Sequence, residues 1–365
     1  MLKDTFKQPV SETWRLIKLR MAEYWLLGKQ LLADFSLTGQ SHNNLIGLQI
    51  IAECIKLLKI NTTEKGYEVE YFSITPLPPG VVVKEEIKDS AAVARILQDV
   101  VRQSGLSTKN IALAIPRSSA IIKNFLVSNK LTKDEIESRV WIEANRLFPN
   151  LIDDIYLDFV VLGKASDGSP QKEVMLVACR KGQVNPYLEI IRSAGLHIKV
   201  VDVNCYAFER ALGLIAKESP QLKTIALLNL SYTLSTLIVI HEGNLIYTYE
   251  LNYDGRSVMP KNQANGISDE MLKNTLGLHL RHTMQYFYSS RPNIAIQKMF
   301  LSGVCAAEIP RFAEFIAGEI GIEAVLANPF VKMTLAPSVD NANLQKQAPS
   351  LVQCCGLALS KNHYE

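Results

Sequence analysis

A chain of 365 residues, 48% hydrophobic and 21% charged, is long enough for two or more domains, each with its own core. Its net charge of +3 excludes the strong electrostatic pull of a nucleic-acid binder. No window reaches the roughly 18 to 20 apolar residues of a spanning helix. The six cysteines (54, 179, 205, 305, 354 and 355) form no Cys-x-x-Cys pair and sit in apolar runs. They are expected to be reduced core residues of a cytoplasmic protein. The N-terminus carries charges where a secretory signal has an apolar core.

Residues 1–43 stand apart as an N-terminal extension. Residues 11–35 are predicted to form a helix with Trp14, Ile17, Met21, Trp25, Leu31, Leu32 and Phe35 on one side. Arg15, Lys18 and Lys29 flank that stripe, so the helix is suited to its own domain, to a partner helix, or to peripheral contact with an anionic membrane. A polar linker, residues 36–44, follows.

Strands are predicted near 45–51, 55–60 and 67–75, then a helix capped by Asp89, with Val93, Ile96, Leu97, Val100 and Val101 at helical spacing and Gly105 at its end. Residues 110–115 form a short buried strand. Residues 117–194 read strand, helix, strand, strand, helix. Thr132 and Glu135 make a capping box at the first of these helices. A strand over 196–203 and a helix over 205–216 lead to the densest apolar run, Thr224 to Tyr249. Turns at Leu230-Ser231 and Glu242-Gly243-Asn244 fold it into an antiparallel three-strand meander. A long helix over 268–289, a strand at 299–301, a helix over 310–321, a strand over 323–327, a loop and a last helix over 350–361 complete the chain. The strand–turn–strand unit at 45–60 is repeated in the later meander, so the fold is expected to be duplicated.

The run from Leu45 to Phe330 resembles the PilM family of type IV pilus assembly proteins. The matching pieces include Ile46-Gly47-Leu48-Gln49-Ile50, Pro76-Leu77-Pro78-Pro79-Gly80, Ala114-Ile115-Pro116, Trp141-Ile142-Glu143-Ala144, Leu157-Asp158-Phe159 and Val200-Val201-Asp202-Val203. Phe287-Tyr288-Ser289-Ser290, Leu301-Ser302-Gly303 and Ala327-Asn328-Pro329-Phe330 continue it. The resemblance implies an α/β, actin-like ATPase fold of the FtsA/PilM kind. A first half is expected over 44–222, with a small α/β subdomain inserted at about 116–195. A second half is expected over 223–365, with a shortened small subdomain of its own. The implied partner is the cytoplasmic N-terminal tail of a PilN-like inner-membrane protein. The implied place is the cytoplasm, peripheral to the inner membrane.

In the family's fold, aspartates and glycines of two turns hold Mg²⁺ and let the backbone approach phosphate. Here those turns carry Gln49 with Ile51 and Asn229 with Ser231, Tyr232 and Thr233, with neither Asp nor Gly. Lys56 remains on a strand where it is expected to be solvated, and a single Gly303 follows Leu301. Gln49, Lys56, Asn229, Ser231, Thr233 and Gly303 are therefore the remnant of a degenerate nucleotide site, with no cofactor expected. The alternative is a slow actin-like ATPase or nucleotide switch using Mg-ATP in pilus assembly or DNA uptake. No catalytic set appears otherwise. His279 and His282 are three apart with no third ligand, so no metal site is expected. For the tail, the helix over 133–147 offers Ile136, Val140 and Phe148 as apolar contacts, and Glu137 and Glu143 for a basic residue.

Overall fold

The structure is a computed structural model that describes residues 44–83, 86–164, 169–231, 235–251, 276–309 and 311–360. The helix expected over 11–35, the linker after it, and the irregular stretch expected over 254–265 lie outside the described residues. So does the place of a shortened second small subdomain, between residues 251 and 276.

β1 (Ile46–Ile50), β2 (Cys54–Thr63) and β3 (Gly66–Pro76) form an antiparallel meander. β6 (Asn110–Ile115) then lies parallel to β1, and β10 (His197–Val203) parallel to β6. The second half repeats this arrangement. β11 (Thr224–Asn229), β12 (Ser235–His241) and β13 (Asn244–Leu251) form the meander, β14 (Lys298–Ser302) lies parallel to β11, and β15 (Ala324–Leu326) parallel to β14. The duplication thus extends from a strand pair to a whole five-strand unit with one strand order. The β12–β13 turn has Glu242 at φ 48° and Gly243 at φ 78°. Two left-handed residues in a two-residue loop match the right-handed twist of the strands.

Between β3 and β6 lie the short pair β4 (Val82–Val83) and β5 (Glu86–Ile87) and helix α1 (Ser90–Ser104). Asp89 accepts from the Ala92 N–H at 2.9 Å, and Gly105 at φ 65° ends the helix, as its sequence predicts. The inserted subdomain is a three-strand antiparallel sheet ordered β7 (Ala120–Ser128), β9 (Gln171–Arg180), β8 (Ile155–Lys164). Helix α2 (Lys133–Leu147) covers one face, entered through the Thr132–Glu135 capping box. The other face turns Met175, Val177 and Cys179 into the main core, and α3 (Lys181–Ser193) packs beside α1.

Helix α4 (Asn204–Ala216) joins the halves. Its Phe208 and Leu212 share one core with Ile46 and Leu48 of the first sheet and Ile225 and Ile238 of the second. The far face of the second sheet has its own core, where Ala226, Leu228 and Val239 meet Leu280, Met284 and Phe287 of α5 (Leu278–Ser290). The helix expected over 310–321 is α7 (Phe312–Ile320), and a short helix that was not expected, α6 (Val304–Glu308), precedes it.

The last described segment departs from the two-half division of the sequence. β16 (Thr334–Leu335) pairs with β3 at the edge of the first sheet. After α8 (Asn341–Gln347) and a 3-10 turn (Ala348–Leu351), helix α9 (Val352–Ala358) packs on β1, β2 and α4. Two glycines permit this approach. A Cβ on Gly47 would stand 2.3 Å from the Cys354 carbonyl oxygen, and one on Gly356 would stand 1.7 Å from that of Ala207. Arg210 locks the same joint: it is ion-paired with the buried Asp202 and donates to the Gly356 carbonyl at 2.8 Å. All six cysteines are reduced and buried, as expected, and burial pushes the Cys179, Cys305 and Cys354 thiols up to about 12.

Candidate functional site

Open α/β sheets present ligands with a crevice at the carboxyl ends of their parallel strands. Here the ends of β1, β6 and β11 face one another across a narrow cleft. Gln49, Ile50 and Ile51 come from the end of β1, Ala114, Ile115 and Pro116 from the end of β6, and Asn204 from the start of α4. Asn229, Ser231 and Thr236 enter from the second half, with Tyr187 of α3 and Gln353 of α9 completing the lining. The sequence reading named Gln49, Asn229 and Ser231, and the fold brings these three together.

Each amide has a structural reason for its place. Gln49 donates through Nε2 to Gln353 Oε1 at 2.8 Å, tying β1 to α9. Asn229 accepts from the Ser302 hydroxyl at 3.2 Å, which joins β11 to β14. The Ile51 N–H donates to the Cys54 carbonyl at 3.1 Å and closes the β1–β2 turn, with the Ile51 side chain buried.

Lys56 requires a correction. The sequence reading took it for a solvated edge residue, but β2 runs between β1 and β3, and Lys56 is 2% exposed. Its ammonium donates to the Ser350 carbonyl at 2.9 Å and holds the 3-10 turn before α9. It is a strut beneath the cleft. Gly303 is likewise structural: it sits at φ 94°, and a Cβ there would stand 2.1 Å from the Leu230 carbonyl oxygen. Its N–H donates to the Pro349 carbonyl at 2.9 Å. Thr233 lies outside the described residues. Asn204, Thr236, Gln353 and Tyr187 were missed. Their sequence context is an ordinary helix start, a strand and two helix interiors, and only the folded topology collects them.

The partner-binding candidates on α2 also need correction. Ile136, Val140 and Phe148 are buried against β8 and β9 in the subdomain's own core. Glu143 is held by Lys123 at 2.9 Å and Arg146 at 2.7 Å, and Lys123 keeps its carboxyl below the usual range. Glu137 is exposed, and the apolar residues that α2 turns outward are Trp141 and Ile142. The capping register decides this: Ile136, Val140 and Ala144 at i, i+4 and i+8 make the inward stripe. His279 and His282 are both exposed on α5, and no group of three or more His, Cys, Asp or Glu residues that would suit a metal occurs among the described residues. No helix among them is long and apolar enough to cross a membrane.

A solved PilM–PilN type IV pilus biogenesis complex contains a chain that superposes with a TM-score of 0.69 at 22% identity, covering 87% of this chain and 98% of that one. The ethanolamine utilization protein EutJ from Carboxydothermus hydrogenoformans gives 0.47 at 14% identity, over 93% and 99% of the two chains. ADP-bound MreB5 of Spiroplasma citri gives 0.39 at 9% identity, over 86% and 94%. The family model for the type IV pilus assembly protein PilM matches residues 47–270 and 259–362. With its duplicated five-strand units and its inserted subdomain, this chain has the actin-like fold and belongs to the PilM family of type IV pilus assembly proteins.

Proposed function

We propose that this protein is a cytoplasmic scaffold of the type IV pilus assembly platform, peripheral to the inner membrane, and that it binds the N-terminal tail of a PilN-like membrane protein. In this reading its nucleotide site is degenerate and hydrolyses nothing. One observation carries it: among the described residues, no Asp, Glu, Lys, Arg or His lines the cleft. Mg-nucleotide needs carboxylate for the metal's shell and cationic or backbone donors for the phosphates. Gln49 and Asn229 supply neither charge, Lys56 is engaged with Ser350, and the turns that would cradle phosphate contain no glycine. The residues present do not fit the group, so the protein's work is assigned to its surface. The solved relative named above is a complex with PilN.

On α2, Glu137 and Trp141 lie four apart on the outer face beside Ile142, an acidic and apolar surface suited to a tail with basic and apolar residues. The test is capture of the full chain by an immobilised N-terminal tail peptide of a PilN-like protein, together with a melting scan in Mg-ATP. Capture without a melting shift is expected. An absence of capture at high-micromolar peptide removes the scaffold reading. A ligand at about 100-fold excess over its Kd adds roughly 2.7 kcal/mol, so a clear Mg-ATP shift would instead favour the nucleotide switch.

A further inference from the structure

The end of the molecule opposite the cleft collects cationic side chains that no carboxylate engages. The cleft lies at the carboxyl ends of β1, β6 and β11, so the turns that lead into the parallel strands lie at the other end. There Lys65 tips the β2–β3 hairpin, Lys109 precedes β6, Lys217 follows α4 and Arg291 follows α5. All four are exposed, and none has a carboxylate partner among the described residues. The acids of the same turns are engaged, Glu64 excepted. Glu242 pairs with Lys223 at 3.5 Å, Glu218 with Lys332 at 2.9 Å and Glu323 with Lys298 at 2.6 Å.

Contacts between the turns make one surface across both halves. Thr334 Oγ1 donates to the Tyr67 carbonyl at 3.3 Å and brings the Lys332 segment to the β2–β3 hairpin. Lys332 in turn reaches Glu218, the neighbour of Lys217. The N–H groups of Lys223 and Thr224 donate to Gln297 Oε1 at 2.6 and 2.9 Å, which ties this loop to the one that starts at Arg291. Two further features lie at the same end. Val331, 61% exposed and next to Lys332, is the most exposed large apolar residue among those described. Thr108 Oγ1 donates to the Asn44 carbonyl at 2.9 Å, so residues 1–43, with Arg15, Lys18 and Lys29 beside an apolar stripe, join the structure next to Lys109. An acidic protein would call for cations gathered in one groove. Cations spread over the turns of both sheets, with an apolar tip and an amphipathic sequence beside them, suit a surface that offers phosphates above hydrocarbon.

We infer that this end of the molecule docks on an anionic lipid bilayer, with Lys65, Lys109, Lys217 and Arg291 at the headgroup phosphates and Val331 in the interface. The inference goes beyond the attachment proposed above, because the contact needs no PilN-like tail. Flotation of the full chain with mixed phosphatidylglycerol–phosphatidylcholine vesicles, and with phosphatidylcholine alone, tests it. The parent is compared with Lys65→Glu/Lys109→Glu/Lys217→Glu, and with Lys130→Glu/Lys133→Glu/Arg139→Glu, an equal change of charge at exposed positions of the inserted subdomain. The parent is expected to float with the anionic vesicles only, and less at high salt. The first variant should bind at least about tenfold more weakly, with an unchanged melting temperature, while the second stays within about twofold of the parent. Val331→Asp, which removes no cation, should also bind more weakly than the parent. No flotation of the parent with anionic vesicles overturns the inference. Equal weakening in both triple variants overturns it too, since net charge rather than this face is then responsible, and so does parent-like binding of the first variant. Capture by the tail peptide, measured on the parent alongside, reports on the scaffold reading by itself: its failure beside intact flotation removes that reading and leaves the lipid contact standing.

Discussion

Glu209 is the residue whose chemistry most affects how the halves hold together. It lies on α4, 8% exposed, and its carboxylate accepts from the Leu245 N–H of β13. Burial raises its pKa from 4.5 to about 7, against the opposing pull of that N–H and of Arg210. A carboxyl with a raised folded pKa adds stability in its protonated form. That contribution is complete below the unfolded value of about 4.3 and is lost as pH rises through about 7. The native protein is therefore expected to lose up to roughly 3 kcal/mol of stability between pH 4.5 and 8 through this one group. Glu209→Gln keeps an oxygen for the Leu245 N–H and carries no charge. Scanning calorimetry across that range should show a flatter profile for the variant, and a higher melting temperature at pH 8. Parallel profiles would refute the assignment. Nothing in the sequence singled out Glu209, because one acid within a mostly apolar helix looks the same whether it is solvated or sealed between two sheets.

Local order was the most legible level of the sequence, and it failed where elements are short. The two meanders, α1 and the capping box of α2 follow from β-branched runs, turn residues and caps that act within a few residues. β16 has two residues, and α8 has a polar sequence with Leu344 as its buried residue, so neither has a period to detect. On α2 the helix was legible but its facing was misassigned, because an inward stripe and a docking stripe have the same spacing. Two substitutions separate the faces. Ile136→Ala should cost about 2 to 5 kcal/mol in urea denaturation by opening the subdomain core. Trp141→Ala should cost less than about 1 kcal/mol and weaken capture by the PilN-like tail at least tenfold. A second element-scale prediction concerns α9. Gly356→Ala places a methyl group against the Ala207 carbonyl, a backbone atom that cannot rotate away. Its cost should exceed the about 1 to 3 kcal/mol of ordinary overpacking. A loss below about 1 kcal/mol would mean that α9 does not pack as described.

At the scale of the molecule, duplication was visible in the sequence because both copies begin with the same strand–turn–strand pattern. The convergence of Gln49 and Asn229 on one cleft was legible too, since both stand at the turns that the resemblance pairs across the two halves. What stayed hidden were the contributions of Asn204, Thr236 and Gln353, which arrive from α4, β12 and α9 at positions far apart in the chain. The same distance kept Lys56 from being recognised as buried, since the turn that receives it lies 294 residues away.

That separation has a kinetic consequence. The first sheet acquires α9 and β16 only after the entire second half has been synthesised, because Gln49 meets Gln353 across 304 residues and Lys56 meets Ser350 across 294. At translation rates of about 5 to 20 residues per second, the Gly47 face of β1 waits roughly 15 to 60 s for its cover. The half that leaves the ribosome first therefore finishes folding last. During that interval its apolar face is open to chaperones, and the loop-closure entropy of a 300-residue contact places the docking of α9 among the final steps of folding.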